Sequence, residues 1–402
     1  MTTPSPMTRA PAGAPPPRVS RPMAPVRSLR VTQVGKFYPP HEGGMETHLQ
    51  ALCRNLRHLV DLDVIVSGDG HRTSREVVDG VHLTRAGTWA TVASAPLCPR
   101  MVLALRHGRP DLVHLHHPNP SAFLSYLASG HRGRLVVTYH SDIVAQRTLN
   151  LVYEPVVRHV LDRADAIIVS SREYFDSSPL LRHYADRTVV IPFGVETSFL
   201  ADPDPAEVQR IRDVHGTRIV LTVGRLVYYK GLEFLLDAMP SVDAKLLIVG
   251  QGPLRAALES QAARLGVSKR VAFIGRAPLV APYYHAADAF ILASHLRSES
   301  FGLVQLEAMA CGLPVVNARV NSGVPSVSLD GVTGITVPPA DSHAIAAALN
   351  RLLDDAPLRR ALGEAGRRRV ADEFSLELMG ARTVALYSNV MNRPSARRRD
   401  HV

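Results

Sequence analysis

Hydrophobic positions in the first half of the chain fall into short continuous runs, separated by amphipathic stretches. Residues 29–35 (LRVTQVG) are apolar at enough consecutive positions to form a strand buried on both faces, and Gly43-Gly44 open a helical stretch reaching about His58. The alternation repeats, with strands predicted at 62–67, 112–115, 135–139, 166–169 and 188–191 and helices from Asn119 and over 149–163. A stretch rich in Pro, Gly and Asp (192–205) interrupts the pattern, and a second series starts at 218–224 (RIVLTVG). It continues through strands at 245–249, 271–274, 289–292 and 314–316 and ends in helices over 341–374. Strands alternating with helices predict parallel, doubly wound sheets, and two such series predict two α/β lobes meeting near residue 200. No repeat of roughly 20 to 50 residues is visible, which excludes a solenoid.

Length and composition fit this division: 402 residues suit two domains, and 46% hydrophobic with 20% charged residues is ordinary globular composition. The net charge of +10 first suggests nucleic acid. Most of it lies in the ends, however: residues 1–28, rich in Pro and Ala, carry four arginines and no acid, and residues 393–402 carry four arginines and one acid. These two tails are expected to be solvated and disordered, and nucleic acid is not expected as a partner. If they bind anything, an anionic membrane surface fits their chemistry better. Residues 100–109, which mix Met101, Leu103 and Leu105 with arginines, could rest on such a surface or pack on the sheet as an ordinary amphipathic helix. Cys53, Cys98 and Cys311 are isolated from one another, the proline-broken N-terminus lacks the apolar run of a signal peptide, and no stretch is long enough to span a bilayer. The expected location is cytoplasmic, with membrane contact only peripheral and at the inner face.

In a doubly wound sheet ligands bind beyond the carboxyl ends of the strands, so the residues just after predicted strands carry the chemistry. Gly224-Arg225-Leu226-Val227-Tyr228-Tyr229-Lys230-Gly231 places a guanidinium and an ammonium in a glycine-bounded loop before a helix, a combination that favours an anion such as a diphosphate. Further on, Glu299 and Glu307 stand eight positions apart. On one helix they would be separated by about 12 Å along the axis. The better reading puts Glu299 in the loop after strand 289–292, and starts the helix near Phe301 and stops it at Gly312. Glu299 then reaches a sugar, Glu307 accepts from a ribose diol, and the amides of Phe301, Gly302 and Leu303 face phosphates.

Together the spacings G-R-x4-K-G (Arg225 and Lys230, five apart) and E-x7-E (Glu299, Glu307) resemble the C-terminal half of the retaining glycosyltransferases of family 4, and the resemblance extends from about Leu29 to Asn392. It implies a GT-B fold: two Rossmann-like α/β domains facing a central cleft. The expected division is an acceptor-binding domain at 29–199, a nucleotide-sugar-binding domain at 200–375, and a last helix at 376–392 that returns to the first domain. The resemblance further implies a glycine pair after the first strand, found as Gly43-Gly44, whose backbone can approach the donor closely. It also implies a histidine after an inner strand, found as His140. Gly250-Gln251-Gly252 is read as a loop near the nucleotide base, with Gly252 and Arg276 as donor contacts. Ser326 stands where many relatives have a glutamate, which puts contacts from that segment in question.

The implied activity is transfer of a hexose, with retention, from a nucleotide diphosphate sugar to a saccharide or lipid-linked acceptor. The wording at 321–325 and 330–334 is similar to mannose-transferring members and points to GDP-mannose over a UDP-sugar. No metal or other cofactor is expected. His114, His116 and His117 crowd one strand end without a carboxylate or cysteine at ligand spacing, and Asp61-Leu62-Asp63 sits at the wrong end of its strand. Competing readings are a nucleotide-sugar epimerase or hydrolase of the same fold, a phosphorylase, or a non-catalytic nucleotide-sugar-binding partner.

Overall fold

The computed structural model describes residues 28–41, 43–92, 95–142 and 147–394, with the side chains of 147–152 left out of the description. The two tails expected at 1–28 and 393–402 lie outside the described residues, apart from 28, 393 and 394.

The first lobe contains β1 (Arg30–Val34), β2 (Asp61–Ser67), β3 (Ser74–Val78), β4 (Val81–Ala86), β5 (Ala90–Val92), β6 (Ala95–Leu97), β7 (Leu112–His117), β8 (Arg134–Tyr139), β9 (Ala166–Val169) and β10 (Thr188–Val190). Eight of them form one sheet in the order β10-β9-β8-β7-β1-β2-β4-β3, parallel except for the β3–β4 hairpin at one edge, and β5 and β6 pair as a separate ribbon. The central strands are buried on both faces because helices cover them; β7 is buried along its whole length although three of its six residues are histidines.

The second lobe contains β11 (Ile219–Val223), β12 (Lys245–Val249), β13 (Val271–Gly275), β14 (Ala289–Leu292), β15 (Val315–Ala318) and β16 (Gly334–Val337). All pair in parallel, in the order β13-β12-β11-β14-β15-β16. This is the 3-2-1-4-5-6 order of a dinucleotide-binding sheet, and the order reverses between β11 and β14. The hairpin β3–β4, the ribbon and β16 have no counterpart in the predicted strands. They are short, and charged or polar residues interrupt their apolar pattern.

Two chain passages join the lobes side by side. The Val195 amide donates to Phe374 O at 3.0 Å, and the space a Cβ on Gly194 would need is taken by Ser375 O at 2.7 Å. The stretch predicted as an irregular linker is only partly so: Ser198–Ala201 is a helical turn, Pro205 starts the helix Pro205–His215, and Phe193, Val195 and Leu200 pack into the second lobe's core. Beyond the second passage the helix Leu376–Asn392 lies along Gly44–Leu56 of the first lobe and buries Met379, Val384, Tyr387 and Val390 in that lobe's core. Among the described residues no helix is long and apolar enough to cross a membrane.

Candidate active site

The carboxyl ends of both sheets open onto one cleft of about 750 Å³. Gly43 and Gly44 line it from the helix that follows β1, His140 and Ser141 from the end of β8, and Phe193 from the junction. The opposite wall carries Arg225 and Lys230 after β11, Gln251 after β12, Arg276 after β13, and Glu299, Phe301, Gly302, Leu303 and Glu307 after β14. The cleft thus gathers every site residue predicted from the sequence except Gly252. That glycine is not among the residues lining the cleft, and a Cβ there would run into the backbone of Leu226, so the absence of a side chain lets two neighbouring loops pack closely.

The charged wall is tightly coupled. Lys230 Nζ lies 2.7 Å from Glu299 Oε2, both side chains only 12% exposed, and Ser294 Oγ donates to the same carboxylate oxygen at 3.1 Å. Gly224 makes room for this arrangement, since a Cβ there would sit 3.3 Å from Lys230 Cε and Nζ. Burial favours loss of the Lys230 proton, but the carboxylates of Glu299 and Glu307 outweigh it and hold the ammonium above its ordinary pKa. Lys230 is therefore a permanent cation. Glu307 is partly buried, accepts a hydrogen bond from Tyr284 Oη at 2.7 Å, and is pushed above the usual carboxylate range by its loss of solvent.

The turn between Glu299 and Glu307 corrects the predicted helix start. Gly302 adopts φ 76°, in the left-handed region, so the helix begins at Leu303 and not near Phe301. A side chain at 302 would also meet Leu292 Cδ2 at 2.5 Å. Gln305 Nε2 donates to Phe301 O at 3.1 Å, and Asn317 Nδ2 donates to Gln305 Oε1 at 2.9 Å, which fixes the turn from below. The helix has no side-chain cap, so its first amides open toward the cleft as an anion site. The Phe301 ring points into the core, 5.3 Å from the Phe193 ring. Ser326, expected to weaken donor contacts from its segment, is absent from the cleft lining and donates to Gly323 O at 2.7 Å.

The opposite wall is different in kind. His140 is buried, with Nε2 2.9 Å from His116 Nδ1, and burial holds its pKa well below the ordinary imidazole value. His48, His116 and His140 each offer a nitrogen within 4.8 Å of the others, but two of these nitrogens already bond to each other, so the cluster reads as a hydrogen-bonded unit and not as an open ligand set. Sequence reasoning missed Lys36 and Glu46 behind the glycine pair; the Glu46 carboxylate folds into the space a Gly43 Cβ would fill. Both sense the charge of Arg225 across the cleft. It also missed Asp142 and Arg297, whose side chains meet between the lobes at 2.5 Å.

Two facing Rossmann-like domains, with cations and uncapped helix amides converging in the cleft between them, define a transferase of the GT-B class. Residues 205–369 match the family model of glycosyl transferases group 1, and residues 42–199 match that of glycosyltransferase family 4. The chain is 32% identical to the O-antigen chain mannosyltransferase C of Escherichia coli, over 91% of this chain and 100% of that one. It is also 32% identical to the GDP-mannose-dependent alpha-(1-6)-phosphatidylinositol monomannoside mannosyltransferase of Mycolicibacterium smegmatis, over 87% and 96% of the two chains. In fold it is similar to sucrose-phosphate synthase from Thermosynechococcus elongatus, with a TM-score of 0.76 at 24% identity over 90% of this chain and 99% of that one. Anabaena Alr3699/HepE, solved with UDP-glucose, gives a TM-score of 0.76 at 21% identity, over 90% and 100% of the chains. The chain belongs to the group 1 glycosyltransferases of family 4, and is a hexosyltransferase by class.

Proposed function

We propose that this enzyme is a retaining, metal-independent mannosyltransferase that moves mannose from GDP-mannose to a saccharide or lipid-linked acceptor during cell-surface glycan synthesis. One observation carries the reading: Arg225, Lys230, Glu299, Glu307 and the uncapped amides after Gly302 line one cleft at the strand ends. Breaking the sugar–diphosphate bond leaves negative charge on the departing phosphate, and cations and amides already in place stabilise it without reorganising. Arg225, Lys230 and the helix amides hold the diphosphate, Glu307 accepts from the ribose diol, and Glu299 and His140 orient the sugar. An acceptor oxygen bonds to the anomeric carbon as the bond to the diphosphate breaks, and the acceptor's proton passes to the departing phosphate. Closure of the lobes keeps water out and so favours transfer over hydrolysis. GDP-mannose is preferred over a UDP-sugar on the wording at 321–325 and 330–334 and on the activities named for the two mannosyltransferase relatives.

The enzyme works at the inner face of the cytoplasmic membrane. Trp89, Val92 and Leu97 on or beside the β5–β6 ribbon and Leu103 on the helix that follows are exposed, beside exposed Arg100 and Arg109. This apolar and basic mixture suits an anionic lipid surface.

The test incubates the full chain with GDP-mannose and with UDP-sugars, with and without acceptor extract, and follows products by mass spectrometry. Acceptor-dependent release of GDP is the expected outcome. Free mannose or an epimerised donor formed without acceptor defeats the transferase reading. The same preparation is spun with anionic phospholipid vesicles: binding should weaken as salt rises, and its absence at low salt removes the membrane contact.

A further inference from the structure

Beneath the cleft floor the first lobe holds an unbroken chain of hydrogen bonds that, beyond His140, the transfer chemistry above leaves unused. From the cleft inward, His140 Nε2 lies 2.9 Å from His116 Nδ1, and His116 Nε2 lies 2.9 Å from Gln33 Oε1. Gln33 Nε2 donates to Tyr387 Oη at 2.8 Å, Tyr387 Oη lies 2.6 Å from His114 Nδ1, and His114 Nε2 lies 2.7 Å from Thr138 Oγ1. All six side chains are buried. The links come from β1, β7, β8 and the helix Leu376–Asn392, so the chain ties the last helix of the protein to the wall of its cleft.

Such a chain has a polarity. Burial keeps His114, His116 and His140 neutral, and a neutral imidazole has one donor and one acceptor nitrogen. The Gln33 carbonyl oxygen faces His116, so His116 donates from Nε2; its Nδ1 must then accept, and His140 must donate from Nε2. On the other side Gln33 donates to Tyr387, Tyr387 donates to His114 Nδ1, and His114 donates to Thr138. One orientation sets all the others, and breaking step anywhere leaves a buried polar group unpaired.

We propose that this relay is a positioning device for sugar transfer: Gln33 and Tyr387 hold His140 as the Nε2–H tautomer, which offers its Nδ1 lone pair to a hydroxyl of the transferred sugar. Gln33 and Tyr387 are positioning residues and touch no substrate. His48 packs edge-on against His140 with ring centroids 5.0 Å apart and helps to confine the ring. The consequence for turnover rests on the transferase reading; the tautomer does not.

The experiment uses the full chain with nitrogen-15-labelled histidine, and assigns His140 by the loss of its signals in His140→Gln. Long-range proton–nitrogen spectra should show His140 and His116 each as a single neutral tautomer with the proton on Nε2. In Tyr387→Phe the His140 signals should become a tautomer mixture, and kcat with GDP-mannose should fall by about tenfold to 100-fold, the scale of a slightly misplaced reacting group. Affinity for GDP and UDP, followed by calorimetry, should not change. Thr138→Val, at the far end of the relay, should act in the same direction more weakly, and it carries the test if Tyr387→Phe does not fold. A wild-type His140 protonated on Nδ1 overturns the proposal. So does a folded Tyr387→Phe whose tautomer and kcat match the wild type, or one that loses nucleotide affinity in step with kcat. If no nucleotide sugar is turned over at all, the transferase reading fails while the spectra still decide the relay.

Discussion

The two walls of the cleft serve one reaction with opposite chemistry. The second lobe lines it with Arg225, Lys230, Arg276, Glu299 and Glu307, all on loops or a helix directly after strands of a single sheet. The first lobe lines it, among the described residues, with Gly43, Gly44, Met45, Thr47, His140 and Ser141, none of them permanently charged, while Phe193 lines it from the junction. Charge recognition can be concentrated in one Rossmann-like unit because its loops and helix N-termini converge on the same point. Positioning is assembled differently, from β1, two inner strands and a helix that crosses over from the other lobe. In the proposed reaction the lobes divide the work: the second would hold the leaving group, and the first would fix the geometry of the transferred sugar.

The most forceful way to break this division is Lys230→Met. Methionine keeps most of the length of the side chain and removes the charge, so kcat/KM should fall by roughly 10²–10³, as when one preorganised donor to a developing anion is lost. Nucleotide affinity should fall with it, in contrast to Tyr387→Phe. The variant also strands the Glu299 carboxylate, which keeps only its bond from Ser294. Adding Glu299→Gln should therefore recover thermal stability, measured by calorimetry, without recovering turnover. Wild-type GDP binding by Lys230→Met would mean that the charged wall is not a phosphate clamp.

Glu307→Gln sharpens the same contrast with a smaller effect. Burial raises the Glu307 pKa in the folded protein, so the ionised form is less stable there than in the unfolded chain. That penalty is absent at pH values below the ordinary carboxylate range, where both states are protonated, and complete above the raised value. Glutamine still accepts from Tyr284. Glu307→Gln should thus raise the melting temperature at neutral pH, with a gain that shrinks as pH falls into the carboxylate range. Donor affinity should drop by roughly tenfold or more, because a hydrogen bond to a charged acceptor is worth about 1.5–3 kcal/mol. A melting-temperature gain that is the same at every pH would show that burial of charge is not its source.

The same contrast decides what could be read from residue order. The charged wall was legible because its parts lie close in sequence and at fixed spacing: Arg225 and Lys230 in one loop, Glu299 and Glu307 around one turn. The packing of Gly252 against Leu226 was not legible, because a glycine in a loop spells the same whether it admits a ligand or a neighbouring backbone. The helix start was misjudged because nothing in the letters distinguishes a helical Phe301-Gly302 from one that turns left-handed. On the other wall His114, His116 and His140 were visible as histidines at strand ends. Their connection was not, since the contact that closes the relay joins Gln33 to Tyr387 across 354 positions. The doubly wound sheets were legible where the strands are long and apolar, and β3, β4 and β16 escaped because short, mixed strands carry little pattern.

The weakest expected effect asks whether the walls act separately at all. Arg297 sits two residues before Glu299 and Asp142 two residues after His140, and their side chains meet at 2.5 Å between the lobes. Tyr139 Oη donates to Asp142 Oδ1 at 2.7 Å, the Asp142 amide donates to Tyr174 Oη at 2.7 Å, and Arg297 Nη1 donates to Ser177 O at 3.2 Å. The Asp142 loop is thereby fixed within its own lobe, and Arg297 reaches across from the opposite wall to meet it. The two side chains are 24% and 27% exposed, so solvent screens them, and their coupling should be about 1 kcal/mol or less. Asp142→Asn and Arg297→Met should each lower kcat by a few-fold, with the nucleotide affinity intact, since neither touches the charged clamp. The double variant should cost less than the two losses combined if the pair holds the lobes in register for transfer. Strict additivity in kcat would show that the clamp and the positioning relay are aligned by packing at the Val195–Phe374 junction alone, and that the ion pair bridging them is incidental.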